Sequence, residues 1–168
     1  MTADEVKKML GLVPHPREGG WYVRTYESKT LAQNGTHKTG TAIYYLLEPE
    51  TLSQMHLLKS DEVFHFYAGD AVEQVQLLPD GTGCRIVIGS DLLRGDRPQV
   101  VVPAGVWQGS RLVRGGRWAL LGCTVSPGFE YVDYEDGVAE ELRVVCDHNR
   151  TICGRTCISH GQRSARGG

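Results

Sequence analysis

The chain has no apolar run approaching the roughly 18 residues that a membrane helix needs. It has almost no excess charge either: 18 Lys and Arg stand against 20 Asp and Glu, a formal net charge of -2. The first absence argues against a membrane-spanning helix, and the second against the basic surface that nucleic acid or an anionic bilayer requires. Met1-Thr2-Ala3-Asp4-Glu5 lacks the basic-then-apolar opening of a secretory signal. A cytoplasmic protein whose partner is a small polar molecule, with no nucleic acid and no membrane, is the expectation. Phosphate-binding patterns are missing too. Glu18-Gly19-Gly20 belongs to neither Gly-x-Gly-x-x-Gly nor Gly-Lys-Ser/Thr, so its glycines read as a turn or a close backbone approach. Paired Cys-x-x-Cys spacing is absent, and the five cysteines are odd in number. Cys84 and Cys123 lie alone in apolar runs, where buried free thiols and a reducing compartment are expected.

What is present is a dense succession of short β-rich runs. Thr2 to Leu10 reads as a short helix: Thr2 caps it, Asp4 and Glu5 suit its first turn, Lys7 and Lys8 its last, and Gly11 stops it. A strand follows at Trp21 to Tyr26, then a polar loop from Ser28 to Gly40. After it come runs at Thr41 to Leu47, Ser53 to Leu58, Glu62 to Tyr67, Val72 to Leu78, Cys84 to Ile88, Gln99 to Val102, Arg111 to Val113, Trp118 to Val125 and Phe129 to Tyr134. Pro79-Asp80-Gly81-Thr82-Gly83 and Arg114-Gly115-Gly116-Arg117 have hairpin-turn chemistry. Strands this short and this evenly spaced predict an all-β sandwich or barrel in residues 1–137. Residues 138–168 are polar and Arg-rich and read as a flexible C-terminal extension, with one helical turn at 140–145. The extension holds Cys146, His148, Cys153, Cys157 and His160, without the spacing or the apolar company of a zinc module.

One hairpin concentrates the chemistry. If Ser53 to Leu58 is a regular strand, Gln54, His56 and Leu58 share a face, and the turn through Lys59-Ser60-Asp61 brings Glu62 onto the same inner wall as His56. His65 has the opposite parity to Glu62 and points outward, toward a second layer or an interface.

Four separated motifs carry a resemblance: His15-Pro16-Arg17-Glu18-Gly19-Gly20-Trp21-Tyr22, the run from Ser60 to Asp70, Val102-Pro103-Ala104-Gly105-Val106-Trp107-Gln108-Gly109, and Val125 to Tyr131. Together they resemble the DUF985 or Cupin_5 family of the RmlC-like cupin superfamily. The resemblance implies a double-stranded β-helix, that is, a jelly-roll barrel, usually as a homodimer. Metal-binding cupins carry histidines where this chain has Gln54 and Gln108, beside the positions of His56 and Glu62. Replacing imidazoles by neutral amides leaves a poor ligand set, so no cofactor is required and a weak divalent metal on His56 and Glu62 is the third alternative.

The leading expectation is an isomerase- or epimerase-like enzyme acting on a sugar or related polar metabolite. His56 is its base and Glu62 the orienting partner or acid, while Gln54, Gln108, Trp107, Tyr22, Arg24 and His65 are the candidate ligand-binding residues. The alternative from another class is a non-catalytic cupin that binds a small ligand without turning it over.

Overall fold

The computed structural model describes residues 1–33 and 35–137. The proposed extension at 138–168, with its helical turn and its Cys/His set, lies outside the described residues.

In chain order the elements are α1 (Ala3–Leu10), β1 (Val13–Pro14), β2 (Trp21–Glu27), β3 (Thr41–Leu47), β4 (Leu52–Leu58), β5 (Asp61–Gly69), β6 (Val72–Leu77), β7 (Gly83–Ile88), β8 (Gln99–Val102), β9 (Trp107–Leu112), β10 (Ala119–Ser126) and β11 (Tyr134–Asp136). A six-stranded sheet runs β1-β2-β3-β10-β5-β8, and a five-stranded sheet runs β11-β4-β9-β6-β7. Every pairing between these strands is antiparallel. The chain crosses between the sheets as a jelly roll. Among the described residues no helix is long and apolar enough to cross a membrane.

The inner faces of the two sheets make one core, in which Tyr45, Leu47, Phe64, Ile86, Ile88 and Leu121 are buried. Helix α1 closes the outer face of the larger sheet, packing Val6 with Leu12 and Leu46 against Trp21, Val23 and Tyr44. Its capping is reciprocal: the Thr2 hydroxyl accepts from the Glu5 N–H at 3.2 Å, and the Glu5 carboxylate accepts from the Thr2 N–H at 2.8 Å. Gly11, at φ 67°, ends the helix in the left-handed conformation.

Three expectations are corrected. The segments expected to form one hairpin through Lys59-Ser60-Asp61 do not pair: β4 belongs to the smaller sheet beside β9 and β11, and β5 to the larger sheet beside β10 and β8, so the turn carries the chain from one sheet to the other. The strand at Phe129 to Tyr134 is instead a short 3-10 turn over Tyr131–Asp133, followed by β11, which pairs with β4. Cys84 is disulfide-bonded, whereas Cys123 is a buried free thiol.

Candidate functional site

The loop between β1 and β2 builds one wall of the site. Pro14 pairs with Trp21, so residues 15–20 fold back tightly, and the His15 N–H donates to the Gly20 carbonyl at 2.9 Å. Gly19 and Gly20 have φ of 90° and 70°. A Cβ on Gly19 would stand 2.4 Å from the Leu52 carbonyl oxygen. Only glycine lets the loop lie this close to β4, where the Gln54 N–H donates to the Glu18 carbonyl at 2.7 Å. The result is a carboxyl delivered into the barrel: the Glu18 side chain is 13% exposed and faces two imidazoles. Its Oε1 is 3.7 Å from His15 Nε2 and 3.9 Å from His56 Nε2.

Hydrogen bonding fixes the polarity of both rings. His15 Nδ1 accepts the Glu18 N–H at 2.9 Å, which leaves the neutral ring's proton on Nε2. Burial, and His56 after it, pushes the His15 imidazole down to about 4. His56 Nδ1 lies 2.8 Å from the Gln54 carbonyl, an acceptor, so Nδ1 carries the proton there. His56 Nε2 then presents a lone pair, buried and without a hydrogen-bond partner. The His56 ring stacks on Tyr134 at 5.1 Å.

Glu62 enters from β5. The Gln108 NH2 donates to its Oε2 at 2.6 Å, and Cys123 lies beside it on β10. Burial, partly offset by the Ser53 hydroxyl, pushes Glu18 up to about 7. Burial first and the Glu18 charge second push Glu62 up to about 7, against the opposing pull of His56, Gln108 and Cys123. Both carboxyls line one narrow cleft, with Tyr22, Phe129 and Tyr131 as aromatic walls and Arg24 among its lining. The space in it that a water molecule can reach is about 30 Å³, so a ligand of more than a few atoms has to sit partly in its open mouth or widen it.

A family model described as "Cupin superfamily (DUF985)", Cupin_5, matches residues 4–136. The chain belongs to this family. Similar proteins include the uncharacterized protein YML079W of Saccharomyces cerevisiae, 29% identical over 139 aligned positions, with 73% of this chain and 69% of the yeast protein covered. Among solved structures, protein SO0799 of Shewanella oneidensis is 35% identical with a TM-score of 0.81, over 90% of this chain and 95% of that one. A hypothetical protein from Leishmania major is 32% identical with a TM-score of 0.82, over 90% and 96%. Oxalate decarboxylase from Bacillus subtilis shares the fold alone: identity is 13% and the TM-score 0.56, over 82% of this chain and 34% of that one.

The structure of this DUF985 protein brings His56, Glu62 and Gln108 together, and Tyr22 and Arg24 line the cleft beside them. The Arg24 guanidinium also pairs with Glu27 at 2.9 Å. Several placements differ from expectation. The carboxyl within 4 Å of His56 Nε2 is that of Glu18, not Glu62. Gln54 is exposed, on the opposite side of β4, where it lines a surface groove. The β4–β9 register shifts between Ser53 and His56, so Ser53 and His56 both point inward and simple alternation fails. Trp107 precedes Gln108 on an unbulged stretch of β9 and points away from the cleft. His65 lies, as its parity predicts, on the outer face of the larger sheet, within 3.3 Å of Gln99 and stacked on Tyr67, and so outside the lining of the cleft.

Sequence reasoning missed Glu18 and His15. The available signal was the Gly19-Gly20 pair itself, which marks a close approach and so places the residues before it against the barrel. Among the described residues no group of three or more His, Cys, Asp or Glu is arranged to hold a metal ion. The donor set does not fit one: the Gln108 amide is bonded to Glu62 and Gln74, and Gln54 is outside.

Proposed function

We propose that this protein is an acid–base enzyme of the isomerase or epimerase type, acting on a sugar or a related small polar metabolite. The observation that carries the reading is a single cleft onto which two largely buried carboxyls open, Glu18 and Glu62, one backed by imidazoles and the other held by an amide. Two carboxyls titrating near neutrality supply base and acid from the same wall at one pH. The work first assigned to His56 and Glu62 passes to Glu18 and Glu62, with His56 behind Glu18 as a proton acceptor.

In the forward step one carboxylate removes the proton from a carbon beside a carbonyl. The C–H electron pair moves toward that carbonyl, whose oxygen takes a proton from the other, protonated carboxyl. The first carboxyl then returns its proton to carbon while an O–H proton of the enol goes back to the second carboxylate, which regenerates both groups; return to the other face of the same carbon inverts the centre, and return to the neighbouring carbon, with that carbon's hydroxyl giving up the O–H proton, moves the carbonyl. The aromatic walls formed by Tyr22, Phe129 and Tyr131 hold the ring or chain of the substrate.

The test is deuterium incorporation from D2O into a panel of aldoses, ketoses and their derivatives, read by NMR. Exchange by the wild type that disappears in Glu18→Gln and Glu62→Gln supports the reading. A panel member that binds, shown by a thermal shift, but never exchanges in the wild type overturns it and leaves a non-catalytic binding cupin.

A further inference from the structure

We propose that Gln74 and Gln76 are positioning residues: with Gln108 they form a relay of buried side-chain amides that points the Gln108 NH2 at Glu62 and holds that carboxyl on the cleft wall. The inference rests on the reading of Glu62 as one of the two reacting groups.

The relay has a forced direction. Gln76 Nε2 donates to the Val101 carbonyl at 3.2 Å and to Gln74 Oε1 at 2.9 Å. With its oxygen committed, Gln74 turns its Nε2 toward Gln108 Oε1 and Ser110 Oγ, each at 3.4 Å. Gln108, its oxygen now occupied, donates to Glu62 Oε2 at 2.6 Å. The end groups, a backbone carbonyl and Glu62 in its ionised form, can only accept. Reversing any one amide would set donor against donor or acceptor against acceptor. Gln74, Gln76 and Gln108 are 0%, 4% and 1% exposed, so a mismatch has little access to water that would relieve it.

A wall that only filled space would not need amides here. The same strand places Val72 inward, and Leu112, Ile86 and Ile88 are buried around it, so aliphatic side chains fit this surface and bury at no polar cost. Three consecutive amides on β6 and β9, ending on a pocket carboxyl, are explained by the orientation they impose.

The groups facing Glu62 are Glu18, His56, Cys123, Tyr45 and Gln108, so the measurement is made on Glu62 itself, by 13C NMR of labelled carboxyls assigned with Glu62→Gln. Gln108→Met removes the donor and raises the Glu62 midpoint by about one unit; Gln74→Met and Gln76→Met raise it by roughly half as much, because they release the orientation of Gln108 and not the amide itself. The pH profile of solvent exchange moves the same way. If Gln74→Met and Gln76→Met both leave the midpoint at the wild-type value while Gln108→Met moves it, the relay is wrong and the reading of the site survives. A wild type that exchanges no substrate proton ends the catalytic reading without touching the titration result. Should Gln74→Met fail to fold, the wild-type Gln108 side-chain amide, followed by 15N NMR, must titrate with the Glu62 midpoint; an amide that ignores Glu62 overturns the proposal.

Discussion

His56 Nε2 and Glu18 Oε1 stand 3.9 Å apart inside the barrel, and the imidazole nitrogen has no other polar partner. One residue comes from a strand of the smaller sheet and the other from a glycine-bent loop that joins two strands of the larger one. A modest movement closes the gap to a hydrogen bond, so a proton taken by Glu18 has a place to go. The two carboxyls of the cleft are therefore not equivalent: Glu18 has a basic nitrogen behind it, whereas Glu62 has an amide donor.

That asymmetry separates two variants. Glu62→Gln leaves the Glu18–His56 pair intact but removes the second proton carrier, and exchange falls by about 100-fold or more. Glu18→Gln does the same to exchange and also relieves Glu62 of a neighbouring charge, so the Glu62 carboxyl, followed by NMR, titrates lower than in the wild type. A Glu62 midpoint that rises in Glu18→Gln contradicts the arrangement.

Stability depends on pH with a sign set by the same groups. Glu18 and Glu62 titrate at about 7 in the folded chain against an ordinary 4.5. Between those values the folded state holds protons that the unfolded state has released, so stability falls as pH rises through that window. His15 acts oppositely: its folded value of about 4 lies below the ordinary 6.5, so it removes stability as pH falls through that window. Two carboxyls outweigh one imidazole, and the urea midpoint is expected to drop from about pH 5 to pH 8. Glu62→Gln should flatten this slope; an unchanged slope would show that Glu62 does not titrate where its burial puts it.

The loop glycines give a sharper structural prediction. Gly19→Ala sets a Cβ against the Leu52 carbonyl at a φ of 90°, and should destabilise the protein by roughly 2 kcal/mol or more while withdrawing Glu18 from the cleft. Gly11→Ala, where nothing lies within 4 Å of the new Cβ, meets only the left-handed penalty of about 1 kcal/mol and leaves exchange intact. Equal effects of the two substitutions on exchange would break the link between that turn and the site.

Residues placed outside the cleft supply the negative controls. Gln54→Ala and His65→Ala should each leave exchange within about twofold of the wild type, since neither side chain lines the pocket. For Gln54 the backbone carbonyl, not the side chain, holds His56. A large loss in either variant would mean that the cleft extends where the structure puts a wall.

Much of the barrel was legible because strand spacing, turn chemistry and capping are local. Pro79 to Gly83 turns whatever surrounds it, and Thr2 with Glu5 caps a helix within one turn of chain. Gln108 and Tyr22 came with motifs whose positions follow the strands, and Arg24 with the strand that continues from Tyr22. What the sequence alone determined was therefore the run of short strands, the helix ends and the presence of His56 and Glu62 on strands. Only the tertiary structure decided that a bulge in β4 turns Gln54 out while keeping His56 in, that Glu18 crosses from a distant loop to meet it, and that Gln74 and Gln76 face the interior. The reason is physical: alternation fixes which residues share a face but not which face is inside, and a contact between segments far apart in the chain leaves no local pattern to read.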